Sequence, residues 1–423
     1  MKKIFPLFIL WCNSAFSQDH LSLQQCIDLM LQNSLQTASE TSSLRNAQIE
    51  RSFHFWTLLP SLSGSVGANT NFGRRVDPFT NTFATNTVNS QSYGLSSNMT
   101  LFNGFSYHYG RLRKYMTVQV QETDVALKKN TLLIRLIDLY ITVCKLNIQL
   151  EQATIRIEKY KQIQKIQQLL ISGGRISAID TLKSHNSLLN EELVMIKLST
   201  EKRMKKIELN YLIGKPINSE IVVEMASISE CTTRPQFNEL TELEKAQIQQ
   251  QMTDYQYLSD RSMILPSLSL SGNLGTGFST NNKDYLAVGN PTKPYSDQIQ
   301  QNLYQGIGLY LTIPLFNRGS WLKTKQLNEV KKDELNQQIE LKKQDLELRK
   351  LQSEQDILLK KAVIIQTEQI VSNLQLIYDK SVLLYKDGRI TYNEIENTFL
   401  DWQMRIVELE TLKLEFEQLK MYK

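Results

Sequence analysis

Residues 58–64 read Leu-Leu-Pro-Ser-Leu-Ser-Gly, and residues 264–272 read Ile-Leu-Pro-Ser-Leu-Ser-Leu-Ser-Gly. A second motif, Leu101-Phe102-Asn103-Gly104, recurs as Leu315-Phe316-Asn317-Arg318-Gly319. Both motifs occur in the same order in the two halves of the chain. The sequence therefore contains an internal repeat, and this repeat decides how the rest of the chain is interpreted.

A third motif follows in each half, Gly174-Arg175-Ile176-Ser177 and then Gly388-Arg389-Ile390-Thr391. The second and third motifs share one offset of 214 residues, whereas Pro60 and Pro266 of the first motif are 206 residues apart. A period of roughly 210 residues is far longer than a solenoid unit. It predicts a tandem duplication, with one repeat at residues 18–235 and the other at residues 236–423.

The first 17 residues have the features of an export signal. Lys2 and Lys3 precede a short apolar run at 4–11, and Ala15-Phe16-Ser17 fits the small-x-small cleavage rule. The apolar run is too short for a membrane anchor. Cys12 raises the alternative of a lipoprotein, but Trp11 stands where a small residue is expected before a lipidated cysteine. The mature chain is predicted to begin at Gln18.

Removal of the signal leaves 46 basic and 43 acidic residues, which is close to neutral for this length and indicates no nucleic-acid partner. Cys26, Cys144 and Cys231 remain. An odd number of widely spaced cysteines is not a disulfide framework, so isolated buried thiols are expected.

Two stretches, 111–172 and 320–387, contain neither glycine nor proline. An uninterrupted helix over either stretch would be roughly 90–100 Å long. The first stretch has apolar residues at alternating spacings of four and three, which is the pattern of a coiled coil. These residues are Leu132, Leu136, Leu139, Val143, Leu146, Leu150, Ala153, Ile157 and Tyr160. In the second stretch Ile357, Ile364, Val371 and Tyr378 lie seven apart.

Four segments alternate instead with a period of two, which predicts β-strands. Each has an apolar face and a face of small polar residues, and each is about 10–13 residues long, enough to cross a bilayer when tilted. The apolar positions are Leu62, Val66, Ala68 and Phe72; Tyr93, Leu95, Met99 and Leu101; Leu268, Leu270, Leu274 and Phe278; and Ile307, Leu309, Leu311 and Ile313.

Polar loops are predicted between the paired strands, at 73–91 and 279–302. We expect the first to lack regular structure, so that deletion of residues 80–90 would leave assembly intact. Aromatic residues cluster where helix meets strand, as in the interfacial girdle of a membrane protein. They are Phe53, Phe55, Trp56, Phe105, Tyr107, Tyr109, Phe316 and Trp321.

In the order and duplication of these features, the chain resembles the TolC-like family of outer-membrane efflux proteins. The resemblance covers essentially the whole mature chain. It rests on the Leu-Pro-Ser-Leu strand entries, the Leu-Phe-Asn-Gly helix entry, the Ile213-Gly214-Lys215-Pro216 segment and the two Gly-Arg turns. The implied fold is mainly α: long coiled-coil helical hairpins form a periplasmic α-barrel, and each protomer gives four strands to a shared outer-membrane β-barrel.

The resemblance implies a homotrimer with a twelve-stranded barrel, extending from the outer membrane into the periplasm. Its function would be that of a passive channel in a tripartite efflux or type I secretion system. The implied partners are an inner-membrane pump, a periplasmic adaptor (membrane fusion) protein and outer-membrane lipid. No cofactor or metal is implied.

The resemblance also assigns roles to the two Gly-Arg turns, which would form the periplasmic tip that contacts the adaptor. The tip residues are Gly173, Gly174, Arg175, Ser177, Gly388, Arg389 and Thr391. Some family members narrow the tip with acidic rings four and seven residues after the tip Arg. Those positions hold Asn393 and Glu396 here, so one acid has been replaced by an amide and only a modest cation-favouring ring is expected.

Two other classes of function agree less well with the sequence. An enzyme is not supported, because none of His20, His54, His108 and His185 lies in a metal-binding pattern and residues 104–108 lack the second glycine of a nucleophile elbow. A secreted or periplasmic coiled-coil structural protein or adhesin is compatible with the heptads. The four symmetrically placed alternating strands argue against it.

Overall fold

A computed structural model describes residues 19–77, 79–84, 87–172, 178–225, 231, 233 and 239–422. The predicted signal at 1–17 and the first Gly-Arg turn, residues 173–177, lie outside the described residues. The first half contains β1 (Asp19–Leu21), α1 (Leu23–Asn33), α2 (Leu35–Phe53), β2 (Ser61–Asn71), β3 (Arg75–Val76), β4 (Phe83–Ala84), β5 (Val88–Asn103), α3 (Ser106–Ser172), α4 (Ala178–Ile213) and β6 (Ile221–Val223).

The second half repeats the main elements in the same order. It contains α5 (Glu239–Arg261), β7 (Ser267–Ser279), α6 (Tyr295–Gln301), β8 (Tyr304–Thr312), α7 (Ser320–Lys386) and α8 (Tyr392–Met421). Both long helices, α3 and α7, have 67 residues. No helix in the described part of the chain combines the length and the apolar character needed to cross a membrane.

The four long strands form one antiparallel sheet in the order β2-β5-β7-β8. Its register places Leu95 of β5 opposite both Gly64 and Leu274, while Ser96 lies opposite Ser63 and Asn273. Because directly opposed residues lie on one face of an antiparallel sheet, the predicted apolar and polar faces run across all four strands. The predicted mainly helical fold with four long strands is confirmed.

A β-bulge between Thr100 and Phe102 changes this pattern at the end of β5. Beyond the bulge Phe102 pairs with Leu268, so Phe102 rather than Leu101 continues the apolar face. The sequence prediction for Leu101 was wrong because one extra residue reverses the alternation.

The first polar loop is shorter and more structured than predicted. Strand β5 already begins at Val88, and Asn89 and Ser90 pair with Thr70 and Asn69. The preceding residues form the small β3–β4 hairpin. The expectation that this stretch lacks regular structure was wrong, and deletion of residues 80–90 would remove the first residues of a long strand.

The described chain divides into two compact units, and each unit contains segments of both sequence repeats. The described residues of the first unit lie within 19–41, 124–242 and 342–422, and those of the second lie within 42–123 and 243–341. The second unit contains the sheet.

The coiled-coil seam predicted in α3 is buried in the first unit at every position except Leu150, which is half-buried. Leu132, Leu136, Leu139 and Val143 pack in one core cluster with α1, α4, β1 and β6. Tyr140 closes this core, because its hydroxyl donates to the carbonyls of Leu21 at 3.1 Å and Glu224 at 2.7 Å.

The cysteines depart in part from the sequence prediction. All three are free thiols, but Cys26 and Cys144 belong to the same core cluster and are not isolated from each other. Burial raises the pKa of both thiols to about 12. Cys231 is half-buried rather than buried, and its thiol donates to Gln24 Oε1 at 3.5 Å.

A polar contact also joins three helices of the first unit. Glu415 of α8 accepts a hydrogen bond from Lys145 of α3 at 2.6 Å and another from Lys360 of α7. Burial alone would raise the pKa of Glu415, but the two lysines outweigh it and the pKa is lowered. The ion pairs therefore add a specific polar tie between helices that otherwise pack through apolar side chains.

Candidate channel wall and hairpin turn

The polar face of the sheet consists of small side chains and glycines. Ser63 and Ser96 hydrogen-bond across β2 and β5, with their hydroxyl oxygens 2.7 Å apart, and both are exposed. The same face continues through Asn273 and Gly306 on β7 and β8. Short polar side chains leave room for water and for solutes beside the strand backbone, as in the lumen of a membrane barrel.

The opposite face is apolar, and none of the described residues covers it. Leu62 is 71% exposed, Val66 76% and Ile307 88%. Burying a side chain of this size is worth roughly 1.5–3 kcal/mol, so a row of exposed ones is costly in water. Such a contiguous apolar patch indicates a surface that meets lipid or another protein.

Aromatic side chains lie where the helices meet the long strands, as the sequence predicted. Phe53 and Trp56 stack with their ring centroids 6.1 Å apart, and both are exposed. Phe55, Phe105, Phe316 and Trp321 are exposed as well. Exposed aromatics beside an apolar strand face are typical of a membrane–water interface.

The second Gly-Arg turn reverses the chain between α7 and α8. Gly388 has φ +71°, the left-handed conformation that ends many helices. The amide of Gly388 donates to the Tyr385 carbonyl at 3.0 Å, and that of Arg389 donates to Leu384 at 2.9 Å. These two bonds form a Schellman motif, and they leave the Arg389 side chain exposed at the turn.

Helix α8 begins directly after this turn with a capping box. The Thr391 side chain accepts from the Glu394 amide, and the Glu394 carboxylate accepts from the Thr391 amide at 2.7 Å. The backbone hydrogen bond from Thr391 lowers the pKa of Glu394. Thr391 thus has a local role in starting α8, in addition to its predicted place at the tip.

Buried aromatic residues lie behind the turn, and all of them except Tyr378 were missed by the sequence analysis. Tyr378, Tyr385, Tyr392 and Phe399 belong to one cluster with Ile163 and Ile395. The four aromatics are spaced by seven, so the heptad recognised at Ile357 to Tyr378 continues on both sides of Gly388. Following the period through the turn would have found them.

A buried amide supports this cluster from α3 and α4. Gln167 is fully buried, and its side-chain oxygen accepts a hydrogen bond from Ser184 at 2.5 Å. Its side-chain nitrogen lies 3.5 Å from the Tyr385 hydroxyl. Nothing in the local sequence pattern indicated this polar contact, because Gln167 and Tyr385 are 218 residues apart.

The two candidate constriction residues differ in their surroundings. Asn393 is exposed, whereas Glu396 is half-buried and accepts a hydrogen bond from the Tyr392 hydroxyl at 3.0 Å. Burial raises the pKa of Tyr392, and the Glu396 carboxylate raises it further. The candidate tip residues Gly173, Gly174, Arg175 and Ser177 lie outside the described residues.

No protein-family model matches the sequence, and no curated protein matches it. Solved structures match closely in shape. The outer-membrane channel CmeC of Campylobacter jejuni superimposes with a TM-score of 0.76, covering 95% of this chain and 84% of CmeC at 16% identity. The chain has the fold of the outer-membrane channels.

Two further channel structures give the same result. CusC, described for its folding and transmembrane channel formation, matches with a TM-score of 0.76 over 98% of this chain and 94% of CusC at 14% identity. The outer membrane protein VceC of Vibrio cholerae matches with a TM-score of 0.74 over 95% of this chain and 94% of VceC at 13% identity. The TolC-like fold predicted from the sequence is confirmed.

Proposed function

We propose that this chain is a protomer of a trimeric outer-membrane channel that extends into the periplasm. The observation that carries the proposal is the four-stranded sheet, which has an exposed apolar face, a small polar face and two unpaired edge strands, β2 and β8. The fold shared with outer-membrane channels supports it.

The edge strands give the physical reason for assembly with other copies of the chain. In lipid, unpaired backbone N–H and C=O groups cost several kcal/mol each, so an open sheet does not span a bilayer. A closed barrel requires β2 of one copy to pair with β8 of the next. Three copies would form a twelve-stranded barrel whose apolar face meets outer-membrane lipid and whose polar face encloses water.

The channel would be a passive conduit. Substrates would be delivered by an inner-membrane pump through a periplasmic adaptor, and the channel itself would supply no reaction chemistry. The exposed Arg389 and the Gly388 turn, together with the equivalent residues of the first repeat at 173–177, are the proposed adaptor contacts. The mature protomer would comprise the repeats 18–235 and 236–423 after removal of residues 1–17.

Asn393 and Glu396 are the proposed constriction. In a trimer Glu396 would occur three times around the axis and favour cations modestly. Its hydrogen bond with Tyr392 supports this role, because it fixes the half-buried carboxylate on α8 rather than leaving it mobile.

The experiment is to determine where the protein fractionates and how it assembles. We expect it in the outer-membrane fraction, as a trimer in mild detergent that dissociates on heating before electrophoresis. Light scattering gives the mass of the assembly. A monomer in mild detergent would contradict the barrel, and a soluble protein after signal removal would favour the coiled-coil alternative.

A further inference from the structure

The turn between β3 and β4 is organised around one buried carboxylate. Asp77 is buried, and its Oδ1 accepts hydrogen bonds from the amides of Phe79 at 2.9 Å and Thr80 at 3.1 Å. The backbone closes the turn, because the Asp77 amide donates to the Thr82 carbonyl at 3.0 Å. We name Asp77 and residues 79–82 the mouth turn.

The mouth turn is bonded to the end of β7 and to the loop that follows it, about 200 residues later in the sequence. Ser279, which is fully buried, donates its hydroxyl to Asp77 Oδ2. Asn281 donates from Nδ2 to the hydroxyls of Thr80 at 3.3 Å and Thr82 at 3.2 Å. Both loops are therefore parts of one polar network.

The end of β7 is itself held by α6 and by Asn302, the residue that follows α6. Gln298 is fully buried, and its side chain accepts from the Ser279 amide at 2.9 Å and donates to the Ser279 carbonyl at 3.1 Å. Asn302 donates to the Gly277 carbonyl at 2.7 Å. Gly275 is the last residue of β7 that pairs with β8. Beyond it, these side chains bond the backbone of Gly277 and Ser279, and so hold in place the serine to which Asp77 is bonded.

The register shows which face of the sheet the mouth turn covers. Gly67, Ser92 and Gly277 lie opposite one another, in the same face as Ser63 and Ser96. A side-chain carbon on Gly277 would overlap the Phe79 ring, so this ring rests directly on the polar face. Val88, Ser90 and Ser279 are buried at this end of that face, whereas Ser63 and Ser96 remain exposed.

We propose that the mouth turn, with Phe79 on the polar face of the sheet, narrows the outer opening of the channel and limits the size of solutes that pass it. The inference rests on the proposed function, because it takes the polar face as the lumen wall and the ends of the strands away from the long helices as the cell exterior. Three Phe79 rings would then surround one opening, held by three buried Asp77 anchors.

The test measures access to the lumen from outside, independently of any constriction at the periplasmic end. Ser96→Cys, in a Cys231→Ser background, places one reactive thiol on the polar face beyond the mouth turn. Intact cells are treated with a small membrane-impermeant maleimide or with a large polymer-linked maleimide. We expect the small reagent to label this thiol, and the large one to label it slowly.

Phe79→Ala and Asp77→Ala, each combined with Ser96→Cys, are expected to speed labelling by the large reagent by at least about tenfold, the factor that corresponds to about 1.4 kcal/mol. Phe79→Ala keeps the test valid if Asp77→Ala lowers the amount of protein. Asp297→Ala, which removes an exposed carboxylate from α6, is the matched control and should leave labelling slow.

Leu286→Cys provides a second control. Leu286 is fully exposed in the loop between β7 and α6, so both reagents should reach it in every variant. Equal labelling of Ser96→Cys by the large reagent with and without Phe79 would overturn the mouth-turn proposal and leave the channel proposal standing. If even the small reagent fails at Ser96→Cys while it labels Leu286→Cys, the polar face is not the lumen wall and both proposals are overturned.

Discussion

The helical core of the first unit and the sheet of the second unit use apolar residues in opposite ways. Leu136, Ile137 and Tyr140 of the core are fully buried by other parts of the same chain. Leu62, Val66 and Ile307 of the sheet are as apolar, yet most of each side chain is exposed. The described residues therefore bury the helical core completely, whereas they leave this face of the sheet exposed.

The largest expected effect tests the buried side of this comparison. Leu136→Ala should lower the free energy of unfolding by about 2–5 kcal/mol, because it leaves a cavity in a closely packed core. Leu62→Ala removes the same atoms from an exposed position and should lower it far less in detergent. Thermal unfolding in mild detergent, followed by helical circular dichroism, compares the two. Equal losses would mean that the sheet is covered as completely as the core.

The next prediction tests what covers the sheet. Ile307→Arg should destabilise the membrane-inserted protein by about 2–4 kcal/mol if this residue faces lipid near the bilayer midplane. The amount of trimer in the outer membrane should fall accordingly. Ser271 lies on the polar face, opposite Gly308, the residue after Ile307. Ser271→Arg should therefore assemble normally. Quantitative blots of outer-membrane fractions measure both variants. Normal assembly of Ile307→Arg would show that the apolar face does not contact lipid.

The next prediction concerns the Gly388 turn, where substitutions should reduce export without reducing the amount of folded protein. Gly388→Val should strain the turn by roughly 1–2 kcal/mol, since a β-branched residue disfavours a positive φ. Export should fall while membrane abundance stays normal, and Arg389→Glu should have the same result through the proposed adaptor contact. Gly388→Asn is the control, because Asn tolerates this conformation. Substrate accumulation in cells, set against abundance, is the measurement, and normal export in Gly388→Val and Arg389→Glu would remove the tip assignment.

The sequence predicted the elements that depend on local periodicity. The heptad of α3 is buried at every position but one, and the four alternating segments are the four long strands. It failed where a distant contact or a local bulge decides the structure. The bond between Asp77 and Ser279 spans 202 residues, and the bulge at Thr100 shifts Phe102 onto the face expected for Leu101. Neither leaves a repeating pattern in the chain.

A smaller effect is expected at the proposed constriction. Glu396→Gln should lower the cation preference of single channels more than Asp387→Asn does. Asp387 is exposed at the turn, where salt screens its charge within about 8–10 Å. The reversal potential under a salt gradient measures the preference. If Glu396→Gln alters thermal stability and leaves the reversal potential unchanged, the carboxylate serves only its bond with Tyr392, and the constriction proposal is wrong.

The smallest expected effect concerns the capping box of α8. The pKa of Glu394 is lowered in the folded chain, so its charged form stabilises the fold. This stabilisation is present in full above the ordinary Glu pKa of 4.5 and is lost as the pH falls through the lower pKa of the folded chain. Thr391→Ala removes the side-chain cap of α8 and should lower the free energy of unfolding by about 1 kcal/mol at neutral pH. The difference in melting temperature between wild type and Glu394→Gln should therefore shrink as the pH falls below 4.5. Glu347→Gln, at an exposed position of α7, should show no comparable change. A difference that is constant from neutral to acidic pH would mean that the Glu394 charge does not stabilise the start of α8, and that this turn, unlike the sheet, is held by its backbone bonds and buried tyrosines alone.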